Sequence, residues 1–289
     1  MDPSPAENAF CDTSGGKRRD GEARNVAKRI PKATDSMRSH MYSFTSRVRY
    51  SEIGQDGRLT IPALVDYLQD CTTFGSEELG LGPAHTAKTG LAWLLSAWEI
   101  EISELPRFGE KICVSTWATG FAGLRASRNF TVRREGDEAG AAPLVRADSS
   151  WFMFDANKGR PVRTPKEEST PYLEDARDDA PLDLPPIPRM VRVEGEGVAA
   201  CPITVTGAHL DTNHHVNNAQ YVSLALGVLD EGEVRLPCTL DVHYSQAAKL
   251  GDVIYPHIHR DEQAEDGRAA TVVTLDDEAG KHYALVRIR

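Results

Sequence analysis

Apolar and polar positions alternate along the chain with two periods, and the two periods recur in the same order twice. Ile61, Leu64, Val65 and Leu68 fall on one face of a helix. Thr60 and Pro62 are the residue types expected at its start. Ala219, Val222, Leu226 and Leu229 repeat the stripe and predict a second helix, opened by Asn217. Each helix follows an extended entry and a polar turn, so YSEIGQDGRLTIPALVDYLQD (50–70) matches GAHLDTNHHVNNAQYVSLALG (207–227) in layout. Alternation then takes over. WEIEISELPRFGEKICVSTWA (98–118) aligns without gaps on LDVHYSQAAKLGDVIYPHIHR (240–260), with FGE and LGD at one position. ASRNFTVRRE with VRADSSWFMFD, and AATVVTLDDE with YALVRIR, each read as a hairpin. The pattern predicts an α+β fold of two units, each an antiparallel sheet wrapped around a central helix. Joining the sheets edge to edge would cover their exposed strand edges.

The stretches between these units are polar. Residues 1–40 mix charge, Gly, Ser and Pro with few large apolar side chains, and are expected to form a disordered tail. Met37 and Met41 stand just before the first strand-like run, and either is an expected natural start. Residues 166–196 are Pro-rich and charged, and are expected to link an N-terminal domain (41–165) to a C-terminal one (197–289).

Composition narrows the function. A chain of 289 residues with 40% hydrophobic and 26% charged content can bury a sizeable core in two domains. A net charge of −10 argues against a nucleic-acid partner. The five cysteines, 11, 71, 113, 201 and 238, are odd in number and lack C-x-x-C spacing, so reduced thiols in a cytoplasmic protein are expected. No apolar run reaches the ~20 residues of a membrane span, and none is expected.

The chemistry concentrates in LDTNHHVNNAQYV (210–222), which sets Asp211, Asn213, His214, His215, Asn217 and Asn218 before the second helix. Such residues can cap a turn, bind a metal or catalyse. His209, His214 and His215 lie close, and His257 and His259 share a strand face, but no ligand spacing such as H-E-x-x-H occurs. Neither a metal nor a cofactor is expected. Aligning Ile53 with Leu210 places Gly54, Asp56 and Arg58 where the second half has Asp211, Asn213 and His215. One site per chain is therefore expected, in the second half.

The segment DTNHHVNNAQYV resembles the D-x-N-x-H-V-N-N-x-x-Y signature of acyl-acyl-carrier-protein thioesterases, the plant plastid and bacterial enzymes. RVRYSEIGQDGRLTIPALVDYLQDCTTFGSEELGLG (47–82), GLAWLLSAWEIEI (90–102) and SSWFMFDANKGRPVRTPKE (149–167) add to the likeness, which spans about residues 43–289. The resemblance implies a tandem double hotdog fold. It implies hydrolysis of the thioester that joins a fatty acyl chain to the phosphopantetheine arm of acyl carrier protein. It implies catalysis by Asp211, Asn213 and His215. The Glu and Cys of the family's pattern fall on Ala247 and Ala248, so neither supplies a nucleophile here. The first half is then free to house the acyl chain, with Trp93, Trp98 and Phe152 as candidate lining residues. The partner is an acidic carrier protein, for which Arg125, Arg128, Arg133, Arg134, Lys158, Arg160 and Arg163 could form a basic patch. A homodimer is compatible with the sequence. An acyl-CoA thioesterase and a non-catalytic acyl-binding protein are the alternatives.

Thioester hydrolysis requires an activated water and donors for the carbonyl oxygen. The backbone N–H groups of Val216, Asn217 and Asn218 open the second helix and are candidate oxyanion donors. Asn213 can hold water or carbonyl. His215 can move the proton, with Asp211 either orienting it or acting as base.

Overall fold

The computed structural model describes residues 41–138, 140–173, 180–193, 195, 197–261 and 269–289. The expected disordered tail lies outside them. The first half contains β1 (Tyr42–Arg47), α1 (Ile61–Glu78), α2 (Pro83–Thr89), β2 (Leu91–Ile102), β3 (Lys111–Ala122), β4 (Arg125–Arg134), β5 (Val145–Asp155) and β6 (Arg160–Val162). After α3 (Lys166–Leu173) come β7 (Val198–Ala199), β8 (Ile203–Thr204), α4 (Asn218–Leu226), β9 (Cys238–Tyr244), β10 (Val253–Asp261), β11 (Ala270–Asp276) and β12 (His282–Ile288).

The strands form one sheet in the order β1-β3-β4-β5-β2-β9-β12-β11-β10-β7. From the β2/β9 seam outward the two arms carry equivalent strands, because β2, β3, β4 and β5 correspond to β9, β10, β11 and β12. The seam is antiparallel from Ala97↔His243 to Ile102↔Cys238, so each half covers an edge of the other. The counterpart of β1 is split into β7, on β10, and β8, also on β10. Pro202 lies in the gap and has no N–H to give a ladder.

Both central helices start as their sequences predict. Thr60 Oγ1 accepts from Ala63 N–H at 3.3 Å, and Asn217 Oδ1 accepts from Ala219 N–H at 2.8 Å. α1 buries Ile61, Leu64, Val65 and Leu68, and extends the stripe to Cys71 and Gly75. α4 is shorter than its pattern predicts. It buries Ala219, Tyr221, Val222 and Ala225 and ends at Leu226, with Leu229 beyond it. Gly227, and Asp230 and Gly232 beyond it, are poor helix formers.

A bulge at Ser96 shifts the pairing of β2 with β5 between Leu95 and Ala97. It brings Trp98, Ile100 and Ile102 to the same inward face as Trp93 and Leu95, which strict alternation would forbid. At the seam, the register partners Glu99 and Asp241 are both buried. Arg287 Nε and Arg289 Nε donate to Asp241 Oδ2 at 2.7 and 3.1 Å. Burial, then the neighbouring Asp241 charge, push the Glu99 carboxyl up to about 7.

The segment expected to be linker starts with structure. α3 belongs to the first half: Tyr172 Oη donates to Ser76 Oγ at 2.8 Å, and Glu168 Oε1 meets His85 Nε2 of α2 at 2.7 Å. Beyond the helix, Leu182 N–H donates to Asn129 Oδ1 at 2.9 Å, so the connection runs along the first sheet.

Candidate active site

Residues 210–216 form a tight loop closed by an isolated bridge between Leu210 and Val216. Asp211 N–H donates to the His215 carbonyl at 2.8 Å, and His214 N–H to the Asp211 carbonyl at 3.1 Å. His214 has φ 61°, the left-handed region that few non-glycine residues adopt. The loop thereby delivers Asp211, Asn213 and His215 together, immediately before α4.

Within it, Asp211 is an anchor. Its Oδ1 accepts from the N–H groups of Asn213 (2.8 Å) and His215 (3.3 Å), and its Oδ2 accepts from Asn213 Nδ2 at 3.3 Å. The turn-capping reading of this residue is thus correct, and it coexists with a place beside Asn213 and His215. Of the two roles open to Asp211, orienting the His215 ring is not achieved by a direct bond here: Asp211 holds the His215 backbone. Asn213 is exposed and His215 half-buried.

The candidate oxyanion donors also need correction. Val216 N–H donates to the Ala248 carbonyl at 3.0 Å and Asn217 N–H to the His209 carbonyl at 2.9 Å, so both are already committed. Asn218 is the first residue of α4, and its N–H has no carbonyl to reach within the helix. The bond to Ala248 sets the 245–249 segment against the loop. Ala247 is exposed there, and Ala248 is buried, its N–H given to Tyr221 Oη at 2.8 Å. Tyr244 Oη donates to the Asn218 carbonyl at 3.1 Å. Tyr221 and Tyr244 therefore position the loop and the helix start, which sequence reasoning did not find. Asn218 Nδ2 donates across to Gln69 Oε1 of α1 at 3.2 Å, joining the site to the first half.

Burial pushes the thiols of Cys71 and Cys238 up to about 12 and about 11, so neither is a ready thiolate. His257 and His282 both meet the buried carboxylate of Asp276, and so belong to β10–β12 and not to this loop. Among the described residues no cluster of three or more His, Cys, Asp or Glu side chains is arranged to hold a metal ion.

In the first half a cavity of about 20 Å³ opens between the sheet and α1, lined by Trp93, Phe121, Arg128, Trp151, Tyr172 and Ser76. Of the three residues expected to line an acyl site, Trp93 is part of this cavity's lining. Trp98 is not. It is fully buried in the core with its ring centroid 4.9 Å from that of Phe130. Phe152 is not either: neighbours in a strand face opposite ways, so Trp151 points inward and Phe152 outward with its register partners Leu94 and Arg125. Arg128 faces inward as well and is only 8% exposed, which removes it from any docking patch. Arg134 is held by Glu104 and Glu110, both at 2.9 Å, and Lys158 by Asp155 at 2.7 Å. Arg125, Arg160 and Arg163 remain exposed.

Known proteins match this arrangement along most of the described chain. The acyl-ACP thioesterase N-terminal domain matches residues 39–172, ending inside α3, and the acyl-ACP thioesterase C-terminal domain matches residues 198–289. A chloroplastic acyl-[acyl-carrier-protein] hydrolase of Cuphea viscosissima is 26% identical over 258 residues, which is 83% of this chain and 60% of that protein. A chloroplastic palmitoyl-acyl carrier protein thioesterase of Gossypium hirsutum is 27% identical over 197 residues, 64% of this chain and 46% of that protein. This chain thus spans about half of these relatives. The crystal structure of an acyl-ACP thioesterase from Bacteroides thetaiotaomicron superposes with a TM-score of 0.74 at 22% identity, covering 86% of this chain and 97% of that one. The 12:0-ACP thioesterase from Umbellularia californica gives 0.74 at 18% identity, with 86% and 93% covered. Fold, repeat and both matched domains agree, and the chain belongs to the acyl-ACP thioesterase family, with its tandem hotdog fold.

Proposed function

We propose that this protein hydrolyses the thioester of fatty acyl-acyl carrier protein, releasing free fatty acid and ending chain elongation. The observation that carries the reading is the loop that brings Asp211, Asn213 and His215 to the start of α4, in the half whose counterpart loop lacks them. Family membership and the named activities of the relatives support the same reaction.

In this scheme the His215 ring, not engaged by Asp211, takes a proton from water and returns one to the departing thiolate. Asp211 fixes the loop and turns the Asn213 amide, which holds the water or the thioester carbonyl. The Asn218 N–H, at the positive end of α4, completes the stabilisation of the oxyanion. No carboxylate or thiol enters from the neighbouring 245–249 segment at these positions, where the side chains are Ala247 and Ala248. A reducing compartment suits the free cysteines, and the cytoplasm is the location in this proposal.

The test is thiol release by the purified chain from acyl-carrier-protein and acyl-CoA thioesters of the same chains. Higher kcat/KM on the carrier protein supports the reading. Preference for CoA makes it an acyl-CoA thioesterase, and binding without release makes it an acyl-binding protein.

A further inference from the structure

Asn218 is held from two sides and keeps one donor open. Tyr244 Oη donates to its carbonyl at 3.1 Å, and its Nδ2 donates to Gln69 Oε1 at 3.2 Å. The next two N–H groups of the chain are taken: Ala219 N–H goes to Asn217 Oδ1 at 2.8 Å and Gln220 N–H to the Asn217 carbonyl at 2.9 Å. Val216 N–H and Asn217 N–H are committed as well, so among the described residues Asn218 supplies the open N–H of the stretch 216–220. An oxyanion exposes more lone pairs than a single N–H can meet, and sites that stabilise one aim several donors at it.

A further donor stands beside Asn218, in the other half. Gln69 is half-buried on α1, at the edge of the stripe formed by Leu64, Val65 and Leu68. Its Oε1 is fixed by Asn218, and its Nε2 has no partner among the described residues. A side-chain amide carries two N–H donors on that nitrogen. The repeat provides a control. Aligning Ile53 with Leu210 carries Asn218 onto Ile61 and Gln69 onto Leu226. That equivalent pair is apolar: Ile61 is buried, and Leu226 packs against the core. The polar bridge thus accompanies the Asp211–His215 loop, whereas the equivalent position of the repeat does without one.

We infer that Gln69 is a catalytic residue supplied by the first half, whose Nε2–H acts with the Asn218 N–H on the thioester carbonyl oxygen. As water adds to the carbonyl carbon, its proton passes to His215 and the C=O π electrons move to the oxygen, where the two donors meet the charge. When those electrons return, the C–S bond breaks and the thiolate leaves with the proton from His215. The inference rests on the thioesterase reading and makes the site a joint product of both halves.

The test is steady-state thiol release by the full chain from an acyl carrier protein thioester, with melting curves for each variant. Gln69→Ala should lower kcat by about 10²–10³ with little change in KM. It should keep the parent's kcat–pH profile, because an amide does not titrate. Gln69→Glu has the same size and still accepts from Asn218 Nδ2, but it has no N–H to give, so it should be at least as slow. It decides the matter if the alanine variant fails to fold. Asn218→Ala breaks the same bridge and leaves both donors in place, so it should cost at most about tenfold, the scale of one hydrogen bond. Equal losses in Asn218→Ala and Gln69→Ala would show that the amide only holds α4, and would overturn the inference. A Gln69→Glu variant with the parent's rate would do the same, as would a loss in Gln69→Ala that appears in KM alone. A parent that releases no thiol would instead overturn the proposed reaction, and this role with it.

Discussion

Residues 53–59 and 210–216 fold alike and carry different side chains. Each loop is closed by an isolated bridge, Ile53↔Leu59 in one and Leu210↔Val216 in the other. Gly54 N–H reaches the Arg58 carbonyl at 2.8 Å, as Asp211 N–H reaches His215. Gly57 N–H reaches Gly54 at 3.0 Å, as His214 reaches Asp211 at 3.1 Å, and the left-handed position is Gly57 in one loop and His214 in the other. Leu59 N–H is held by the Pro106 carbonyl at 2.8 Å, as Val216 is by Ala248 at 3.0 Å. The backbone scaffold belongs to the repeat, and the proposed chemistry belongs to three side chains found in the second loop. In the first loop Asp56 caps Arg58 N–H at 3.0 Å, and Arg58 Nη1 turns to the Leu105 carbonyl at 2.8 Å. The side chains of that loop are spent on holding the backbone, and its half holds a cavity.

The largest effect is expected where the loops differ. Asp211→Ala and His215→Ala should each lower kcat by about 10²–10⁴ with little change in KM, the scale of a lost general base or its support. Asp56→Ala and Arg58→Ala should leave kcat near the parent value in the same steady-state assay. Asn213→Ala should lower kcat by about 10²–10³ if its amide stabilises the oxyanion. A smaller effect separates the left-handed positions. His214→Gly should stabilise the protein and Gly57→Ala destabilise it, each by about 1 kcal/mol in urea unfolding.

The smallest effect lies at the seam joining the halves. The folded-state pKa of Glu99 is raised to about 7, so the folded protein binds that proton more tightly than the unfolded chain does. The cost of burying the ionised carboxylate is absent below the unfolded value and sets in as pH rises through about 7. Glu99→Gln should therefore gain in Tm over the parent as pH increases from 5 to 8. A gain that shrinks over that range would show that the charged form is the one the seam favours.

Much of this was legible in sequence because the repeat is local. The alignment of Ile53 with Leu210, and of 98–118 with 240–260, is obeyed down to the bonds from Leu59 to Pro106 and from Val216 to Ala248. The capping residues Thr60 and Asn217 act within their own turns, so their types sufficed. What was missed depends on contacts far along the chain or on a single-residue shift. The commitment of the Val216 N–H needs Ala248, and α3 is short, polar and interrupted by Pro171, so that only Tyr172 and Glu168 bury it. The bulge at Ser96 could not be read from alternation, and it decides that Trp98 faces the core. Arg128 did carry a signal, since it shares strand parity with the buried Phe130 and Val132.

The central claim is that catalysis resides in three side chains of the second loop, on a backbone the first loop shares. It is tested most directly by giving the second loop the residues of the first: Asp211→Gly, Asn213→Asp, His214→Gly and His215→Arg in one chain, assayed for thiol release from acyl carrier protein thioester. The account predicts a folded protein, with cooperative melting and a far-ultraviolet spectrum like the parent's, that releases thiol no faster than the uncatalysed background. Release by this variant at a rate close to the parent's would contradict it.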